Sequence, residues 1–537
     1  MKKLFTLIAM LAGTAAAMAT DYTDKLVVTI DGTYTPATDN VISVEEQADG
    51  TYNLQLKNFM LKFSEEDVMP VGTINVPNVK ATQNGASTLL TSSQDILIEA
   101  GDIPGYEEAW IGPSISAISP VPVNVNADMK DGHLYALITI NFMGMNIEVT
   151  FGDVYQICNS GFEYFHTATV YSPDGENSAT SDEPNNWHSF MSASGNPAFV
   201  YLAGYTPHTF KSDVTCPGSK GSSSVLLTSS DMGFFGVANG TLTTGRINTG
   251  SVTAADLANH AWNDMSQTDV DANGDPFFAA MHGCPDSLVV WVKFTQGTPS
   301  AEFPYATVSA VINDGTYYQD PEDKEYTNVL AKAANAQIES NDGAWQRLAI
   351  PFDYDTYKAN NVEGKAILVT MSTNATPGKG STDELYVDDM EMIYNYSATA
   401  ISVKGTPIEG FGKAEDNTYE VLINGESADV SADDIVVETD GKGARVLIET
   451  VDVDLIGGGS DVTITVLSDD LKNSSTYVVK TRNSNLSGIN NASVNAGGKA
   501  EVKAFYNMNG QMVKSPLKGS VYVVKYTNGK TEKVTLK

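Results

Sequence analysis

Residues 49–59 read Asp-Gly-Thr-Tyr-Asn-Leu-Gln-Leu-Lys-Asn-Phe, and this stretch decides the class of fold. An Asp-Gly pair opens it, and Gly tolerates the positive φ that a tight hairpin requires. Polar and apolar residues then alternate from Tyr52 to Leu56, which is the period of a half-buried β-strand. Similar runs, separated by turn residues, recur at residues 26–30, 134–140 and 145–151. Short strands at a spacing of roughly 8–12 residues predict a sandwich or a barrel.

Length and composition describe a chain with several folded domains. At roughly 100–200 residues per domain, 537 residues correspond to about three to five domains. Hydrophobic residues make up 42% of the chain, which is enough for folded cores and excludes wholesale disorder. Lys plus Arg total 32 against 66 Asp plus Glu, so the net charge is −34. A nucleic-acid binder neutralises phosphates with Lys and Arg, so the sequence predicts no nucleic-acid partner.

Residues 1–19 have the three parts of a secretory signal peptide. Two lysines precede an apolar run from Leu4 to Leu11, and the small residues that follow end in Ala-Met-Ala at 17–19. This is the order of the charged region, the apolar region and the cleavage site. The run is too short to span a bilayer, which needs about 20 apolar residues. The sequence therefore predicts export to the extracellular space or the outer cell surface, with no transmembrane segment.

The strand pattern of residues 20–152 is similar to that of a known family. The resemblance is carried by residues 49–59, by Val-Gly-Thr-Ile-Asn-Val at 71–76 and by Asp-Gly-His-Leu-Tyr-Ala-Leu-Ile-Thr-Ile at 131–140. These residues resemble the calycin-like β-barrel domain, which implies a small lipocalin-like barrel. An eight-stranded barrel either holds one small ligand or is filled by its own side chains. Because no polar cluster stands out among the inward positions, a filled barrel is favoured.

Residues 153–397 differ in composition and resemble a second family. They contain four of the five tryptophans and all three cysteines. The resemblance is carried by Asn-Gly-Thr-Leu-Thr-Thr-Gly-Arg at 239–246, by residues 345–354 and by Leu-Tyr-Val-Asp-Asp at 385–389. These stretches are similar to a jelly-roll family named for carbohydrate metabolism. The resemblance implies a β-sandwich like those of carbohydrate-binding modules.

Two short helices are predicted within this second segment. Residues 253–256 read Thr-Ala-Ala-Asp, a start similar to a capping box, and they predict a helix over 253–262. The Ala-rich stretch 327–338 predicts a second helix, because Ala is the best helix former.

The three cysteines of the segment are Cys158, Cys216 and Cys284. An odd number leaves at least one cysteine unpaired within the chain. A Cys216–Cys284 bridge is left open, and buried free thiols are favoured.

The last two segments complete an all-β, multidomain prediction. Residues 398–483 show short alternating strands and are similar to immunoglobulin-like spacer domains of exported bacterial proteins. Residues 484–537 carry eight lysines and two acids, and they look like the C-terminal sorting domain of the type IX secretion pathway. That resemblance implies attachment to the outer-membrane surface through the C-terminus; a small final β-sandwich without a sorting role is the alternative. The predicted fold is a calycin-like barrel, a jelly-roll sandwich, an immunoglobulin-like sandwich and a small C-terminal β module.

Residues 269–275, Asp-Val-Asp-Ala-Asn-Gly-Asp, fit the first half of a calcium-binding loop. In that motif alternate oxygens point inward, and the Gly makes the sharp turn. The candidate metal ligands are Asp269, Asp271, Asn273 and Asp275. Ala280 stands where the motif has its bidentate Glu, and Asp, Asn and Gly also form ordinary turns. A structural calcium and a plain solvated turn both stay open, and no other cofactor is predicted.

Aromatic residues supply the candidate sugar site. Ligand sites pair an apolar surface with a few placed polar groups, and a sugar presents a flat C–H face to an aromatic ring. Trp187 lies among Asn and His residues, which is typical of a loop, and it is the first candidate. Tyr317 and Tyr318 follow an Asp-Gly turn and are the next candidates. Trp262 ends a predicted helix and is expected to pack in the interior.

No catalytic residue is predicted. The sequence contains no H-E-x-x-H, no paired C-x-x-C and no G-x-S-x-G motif, and its six histidines have no ligand spacing. The leading hypothesis is a secreted or cell-surface protein that binds a glycan or polysaccharide without catalysis. A carbohydrate-active enzyme of the glycoside-hydrolase type is one alternative, and a structural surface protein or adhesin with protein partners is the other. A facing pair of carboxyl groups would favour the enzyme.

Overall fold

A computed structural model describes residues 19–31, 33–63, 67–152, 154–453, 457–484, 502–514, 516–517, 520–526 and 530–535. The predicted signal peptide lies outside the described residues, except for Ala19. Strands hold 52% of the residues and helices 6%, so the all-β prediction is confirmed. Among the described residues, no helix has the length and apolar character needed to cross a membrane.

The chain divides into two compact units. Unit 1 comprises Met1–Tyr396 together with Gly441–Arg445 and Leu467–Asn473. Unit 2 comprises Ser397–Asp440, Val446–Val466 and Ser474–Lys537. Most of the predicted barrel and jelly-roll segments therefore lie in one unit.

The first part of unit 1 is a closed antiparallel barrel. Its strands are β1 Thr20–Ile30, β2 Thr33–Tyr34, β3 Thr38–Glu46, β4 Tyr52–Lys62, β5 Val68–Asn84, β6 Ser87–Ile96, β7 Ile98–Glu99, β8 Val121–Lys130, β9 His133–Phe142 and β10 Met145–Phe151. Eight of them pair in the order β1-β3-β4-β5-β6-β8-β9-β10, and β10 returns to β1 with Phe151 opposite Leu26. This closure pairs the first strand with the last and so removes the open sheet edges. The helix α1, Gly112–Ile118, packs against β5 and β7.

The interior of the barrel is apolar. Alternate residues of each strand point inward, and they form one hydrophobic cluster that includes Leu26, Ile42, Leu54, Val123 and Phe151. Each of these side chains is at most 4% exposed. The cluster agrees with a barrel filled by its own side chains.

The second part of unit 1 contains eighteen strands among the described residues. They are β11 Phe165–Tyr171, β12 Ser178–Pro184, β13 Ser194–Gly195, β14 Thr209–Ser212, β15 Ser224–Thr228, β16 Ser230–Asp231, β17 Val237–Ala238, β18 Thr241–Thr243, β19 Arg246–Thr249, β20 Asn259–Asn263, β21 Ala279–Ala280, β22 Ser287–Thr295, β23 Ala306–Asn313, β24 Tyr318–Asp320, β25 Val329–Ile338, β26 Gln346–Pro351, β27 Ala366–Ser372 and β28 Glu384–Ile393. The helix α2 is Pro197–Gly204, and single 3-10 turns occur at Phe190–Ser192, Gly233–Phe235 and Lys358–Asn360.

These strands form three main sheets. One has the order β14-β15-β28-β22-β26, and a second has the order β18-β27-β23-β25 with β21 added to β27. A third, four-stranded sheet has the order β13-β19-β20-β24. Ala261 and Tyr318 of this third sheet pack with Val311 and Leu368 of the second. One face of the four-stranded sheet is therefore buried, and the alternate residues point to its other face.

The two helices predicted in this segment are wrong. The Ala-rich stretch forms strand β25, and residues 259–263 form strand β20. In β25 the side chains of Val329, Ala331 and Ala333 alternate toward the interior and are fully buried. The pairing of β25 with β23 overrides the local helix preference of Ala.

Among the described residues, the chain continues with seven strands in residues 398–483 and four in the C-terminal segment. The first seven are β29 Ala398–Val403, β30 Thr406–Pro407, β31 Thr418–Ile423, β32 Ile435–Thr439, β33 Arg445–Asp452, β34 Ser460–Leu467 and β35 Ser474–Asn483, with a 3-10 turn at Ala432–Asp434. They form the sheets β30-β29-β32 and β31-β35-β34-β33. The last four are β36 Val502–Tyr506, β37 Met512–Val513, β38 Val521–Tyr526 and β39 Thr531–Thr535, in the order β37-β36-β38-β39. The spacer and sorting roles of these segments stay predictions.

Two loops from the later segment belong to unit 1. Arg445 donates a hydrogen bond to Asp128 of barrel strand β8 and lies 3.5 Å from the Asp469 carboxylate. Asp469 in turn accepts the backbone N–H of Cys284 at 2.8 Å. These charged groups link the barrel to the second part of the unit.

A bulge in β28 places two consecutive acids beside Cys216. The register between β22 and β28 shifts there, and Asp389 has a φ of 40°. Asp388 accepts the backbone N–H of Cys216 at 2.7 Å, and the Cys216 thiol lies 3.4 Å from the Asp389 carboxylate. Cys216, Cys158 and Cys284 are all free thiols.

Asp388 predicts a measurable pH dependence of stability. Its side chain is fully buried, and this burial, together with the charge of Asp389, raises its pKa to about 6. Between about pH 4 and pH 6 the folded chain holds a proton that the unfolded chain releases, so this contribution to stability is present at low pH and lost as the pH rises through the folded pKa. In thermal melts over this range, Asp388→Asn should gain stability relative to the unmutated protein as the pH rises. The exposed control Asp355→Asn should run parallel to the unmutated protein, and a parallel Asp388→Asn curve would contradict the prediction.

Candidate functional site

Trp187 is a core residue. Its side chain is 0% exposed, its ring lies 5.1 Å from the ring of Phe162, and its indole N–H donates to the carbonyl of Cys158 at 3.1 Å. The structure therefore corrects the placement of Trp187 in an exposed loop. Its neighbour Asn186 is bonded within the protein, since the backbone N–H of Asn186 donates to the Asp275 carboxylate at 2.8 Å.

Tyr317 and Tyr318 point in opposite directions. Tyr318 is fully buried, packs against Tyr326 and donates its hydroxyl to Glu322 at 3.1 Å. Tyr317 is 38% exposed and stacks on Trp262, with ring centroids 5.7 Å apart and planes at 29°. Of the three predicted aromatic residues, Tyr317 alone offers a ring to solvent.

The sheet register collects polar and aromatic residues around this stacked pair. In the four-stranded sheet Arg246 lies opposite Trp262, Trp262 opposite Gln319, and Asn248 opposite His260. Directly opposite residues share one face of an antiparallel sheet, and residues two apart on a strand share it too. We name this surface the aromatic face; its residues are Arg246, Asn248, His260, Trp262, Tyr317 and Gln319.

Hydrogen bonds hold the rings of the aromatic face in place. The Tyr317 hydroxyl donates to Gln319 Oε1 at 2.8 Å and lies 3.3 Å from His260 Nε2. His260 Nδ1 lies 2.8 Å from the carbonyl of Leu257, so Nδ1 is the donor and Nε2 is left as an acceptor. Partial burial and the charges of nearby Asp residues raise the pKa of Tyr317, which keeps its hydroxyl neutral. Rings fixed in this way lose little conformational freedom on binding a ligand.

The predicted calcium loop lies beside the aromatic face. Asp269 is paired with Arg246 at 3.2 Å, and Arg246 also lies over the ring of Phe277 at 4.1 Å. Asp271 Oδ1 accepts the backbone N–H groups of Asn273 and Asp275, both at 2.8 Å. These two bonds are those of a turn closed by an Asp side chain. The calcium site stays a prediction.

Sequence reasoning missed Trp262, His260 and Arg246. Trp262 and His260 lie within the predicted helix, and that wrong prediction hides their position on the surface of a sheet. The alternation of Arg-Ile-Asn-Thr at 246–249, in which Ile247 and Thr249 are buried, is a period-two signal that points to a half-exposed strand.

Residues 18–153 match the family described as the calycin-like beta-barrel domain, which confirms the predicted barrel family. No curated protein matches the chain.

One similar solved structure is that of the M60 catalytic domain with the CBM51-1 and CBM51-2 domains from Clostridium perfringens ZmpB. It is 12% identical, with a TM-score of 0.15 over 95% of this chain, and this chain spans 45% of its length. Another is that of PNGF-II, 8% identical with a TM-score of 0.12, covering 81% of this chain and 76% of the other. Both scores are too low to indicate a shared fold.

Proposed function

We propose that this protein binds a glycan without catalysis, through the aromatic face of its four-stranded sheet. The observation that carries the proposal is the stacked pair of Trp262 and Tyr317 on a half-exposed surface with fixed polar neighbours. The C–H face of a sugar packs on an aromatic ring, and its hydroxyls pair with nearby donors and acceptors. His260 Nε2 and the half-buried Asn248 supply such groups, while the buried Gln319 holds the Tyr317 hydroxyl in place.

The composition of the face supports binding over hydrolysis. Most glycosidases need two carboxyl groups, about 5–5.5 Å apart in retaining enzymes and about 6.5–9.5 Å apart in inverting ones. The six residues of the aromatic face include no carboxylate. Asp269 at its edge is paired with Arg246. The predicted signal peptide and the sorting-like C-terminus support a location of this proposed function at the cell surface or outside the cell.

The test is retention of the full-length chain on a broad glycan panel. Tyr317→Ala and Trp262→Ala should weaken retention on the cognate glycan at least tenfold, since a loss of about 1.4 kcal/mol in binding energy is tenfold. Phe234→Ala is the matched control, because this ring is 99% exposed and lies outside the aromatic face. It should leave retention unchanged.

Thermal melts of each variant separate binding from folding. Unchanged retention by a folded Tyr317→Ala variant would move the site away from the aromatic face. No retention of the unmutated chain on any glycan of the panel would favour the structural or adhesive alternative.

A further inference from the structure

Four ionisable side chains meet in the interior next to the 269–275 loop. His166 of β11 lies opposite Glu183 of β12 in the strand pair. His188 is held by a backbone bridge to Thr243, and Asp271 comes from the loop. The side chains of Glu183, His188 and Asp271 are 0% exposed, and that of His166 is 11% exposed.

Five buried polar atoms of these side chains have no hydrogen-bond partner among the described residues. They are His166 Nε2, Glu183 Oε2, Asp271 Oδ2 and both ring nitrogens of His188. His166 Nε2 lies 3.5 Å from Asp271 Oδ2 and 3.7 Å from Glu183 Oε2. His188 Nε2 lies 3.6 Å from Asp271 Oδ2. Buried polar atoms left unpaired destabilise the folded chain, and charged groups do so most.

In His166, Glu183 and Asp271, the second polar atom of the side chain forms hydrogen bonds to groups outside the cluster. His166 Nδ1 lies 3.1 Å from the Asn185 side-chain oxygen, so it donates and leaves the Nε2 lone pair facing the carboxylates. Glu183 Oε1 accepts from the backbone N–H of Ser189 and from the Ser192 hydroxyl. Asp271 Oδ1 accepts from two backbone N–H groups of its own turn. Metal-binding histidines and carboxylates are oriented by outer hydrogen bonds of this kind.

Three separations between neighbouring side chains of this cluster fit two ligands of one metal ion better than they fit hydrogen bonds. Charge-assisted N–H···O bonds are about 2.7–2.9 Å long, which is shorter than the contacts seen here. Two ligands bound tetrahedrally at about 2.0–2.1 Å lie about 3.4 Å apart. Two groups bridged by a tetrahedral water at about 2.8 Å would lie about 4.5 Å apart. The observed 3.5–3.7 Å is closest to the metal geometry.

We propose that His166, His188, Glu183 and Asp271 bind one divalent transition-metal ion, with zinc as the ion that suits two imidazoles and two carboxylates. Neutral imidazole nitrogen is a preferred ligand of zinc, whereas calcium takes oxygen ligands. Two carboxylates balance the charge of the ion. Among the described residues, His166, Asp271 and Asp275 form a set whose ligand atoms all lie within 4.8 Å of one another. His188 and Glu183 lie outside that set, so in this proposal their side chains move toward the ion when it binds, and Asp275 is a further available ligand.

The proposed site differs from the predicted calcium loop in its ligands and in its metal. Asp271 is common to both, but the calcium loop relies on Asp269 and Asn273, whereas the proposed site relies on two histidines that lie far away in sequence. Zinc, calcium and chelator therefore give different results for the two sites.

The experiment uses the full-length chain, stripped with chelator and then given zinc, cobalt or calcium. Elemental analysis after dialysis should find one zinc per chain, and zinc should raise the melting temperature above that in chelator, because an ion that binds only the folded state stabilises it. Cobalt should give the visible absorption bands of a tetrahedral ion. Identical melting curves in zinc and in chelator, with no bound zinc, would overturn the proposal. A rise in calcium alone would also overturn it and would support the loop.

Variants locate the ion. His166→Gln and Glu183→Gln should each weaken zinc affinity at least tenfold. His208→Gln is the matched control, because His208 is a buried histidine whose contacts are with the Thr228 carbonyl and the Phe190 ring rather than with the four proposed ligands. It should keep the full zinc-dependent rise in melting temperature. Equal loss in all three variants would contradict the assignment, and the cobalt spectrum of the unmutated chain tests the site even where a variant does not fold.

Discussion

Arg445→Met is expected to lower the free energy of unfolding of unit 1 by about 3–5 kcal/mol, the cost of leaving a buried charge without its partner. The side chain of Asp128 is 8% exposed and that of Arg445 is 15% exposed, so the pair is largely removed from water. The guanidinium also donates to the Asp469 carbonyl at 3.4 Å and lies 3.5 Å from both the Asp469 carboxylate and the Tyr155 hydroxyl. Without Arg445, the carboxylates of Asp128 and Asp469 stay in the interior without the guanidinium that pairs with them.

Calorimetry of the full chain would measure the change as a lower melting temperature for unit 1; the transitions of the two units need not coincide. The double variant Asp128→Asn with Arg445→Met should recover part of the loss, because removing both partners also removes the uncompensated charge. Lys57→Met is the control, since its pair with Asp102 is 55% and 66% exposed and contributes little. An Arg445→Met variant as stable as Lys57→Met would show that the pair does not hold unit 1 together.

Trp187→Ala is expected to destabilise unit 1 by about 3–5 kcal/mol, which is typical for truncating a buried large aromatic residue to Ala. The change opens a cavity beside Phe162 and removes the hydrogen bond to the Cys158 carbonyl. Trp187→Phe keeps most of the volume and should cost clearly less. Thermal or denaturant melts measure both changes.

Phe234→Ala is the control for this series, because its ring is 99% exposed and its removal leaves no cavity. Phe234→Ala should have the same melting temperature as the unmutated protein. An unchanged melting temperature for Trp187→Ala would place the ring outside the core. Since we expect this variant to unfold more easily, its loss of glycan retention would say nothing about the position of the sugar site.

The barrel illustrates what local sequence patterns can predict. The alternation from Tyr52 to Leu56 and the Asp-Gly turn before it are properties of neighbouring residues, and they indicated a strand that the structure contains. The motifs at 71–76 and 131–140 indicated the barrel family, which the match of residues 18–153 confirms. The helix prediction for the Ala-rich stretch is wrong because helix preference depends only on neighbouring residues. The pairing of β25 with β23, which decides the structure there, joins residues that are distant in sequence.

The functional surfaces depended on contacts that no local pattern contains. Tyr317 and Tyr318 are neighbours with the same side chain, yet the strand geometry exposes one and buries the other. His166 and His188 have no ligand spacing in the sequence, and the pairing of β11 with β12 and the bridge to Thr243 bring them to Asp271. The sequence by itself determined the all-β class and the barrel family, because strand period and turn chemistry are encoded residue by residue. Only the tertiary structure decided which aromatic rings face solvent and which charged groups meet in the interior, because these depend on how distant strands pair and pack.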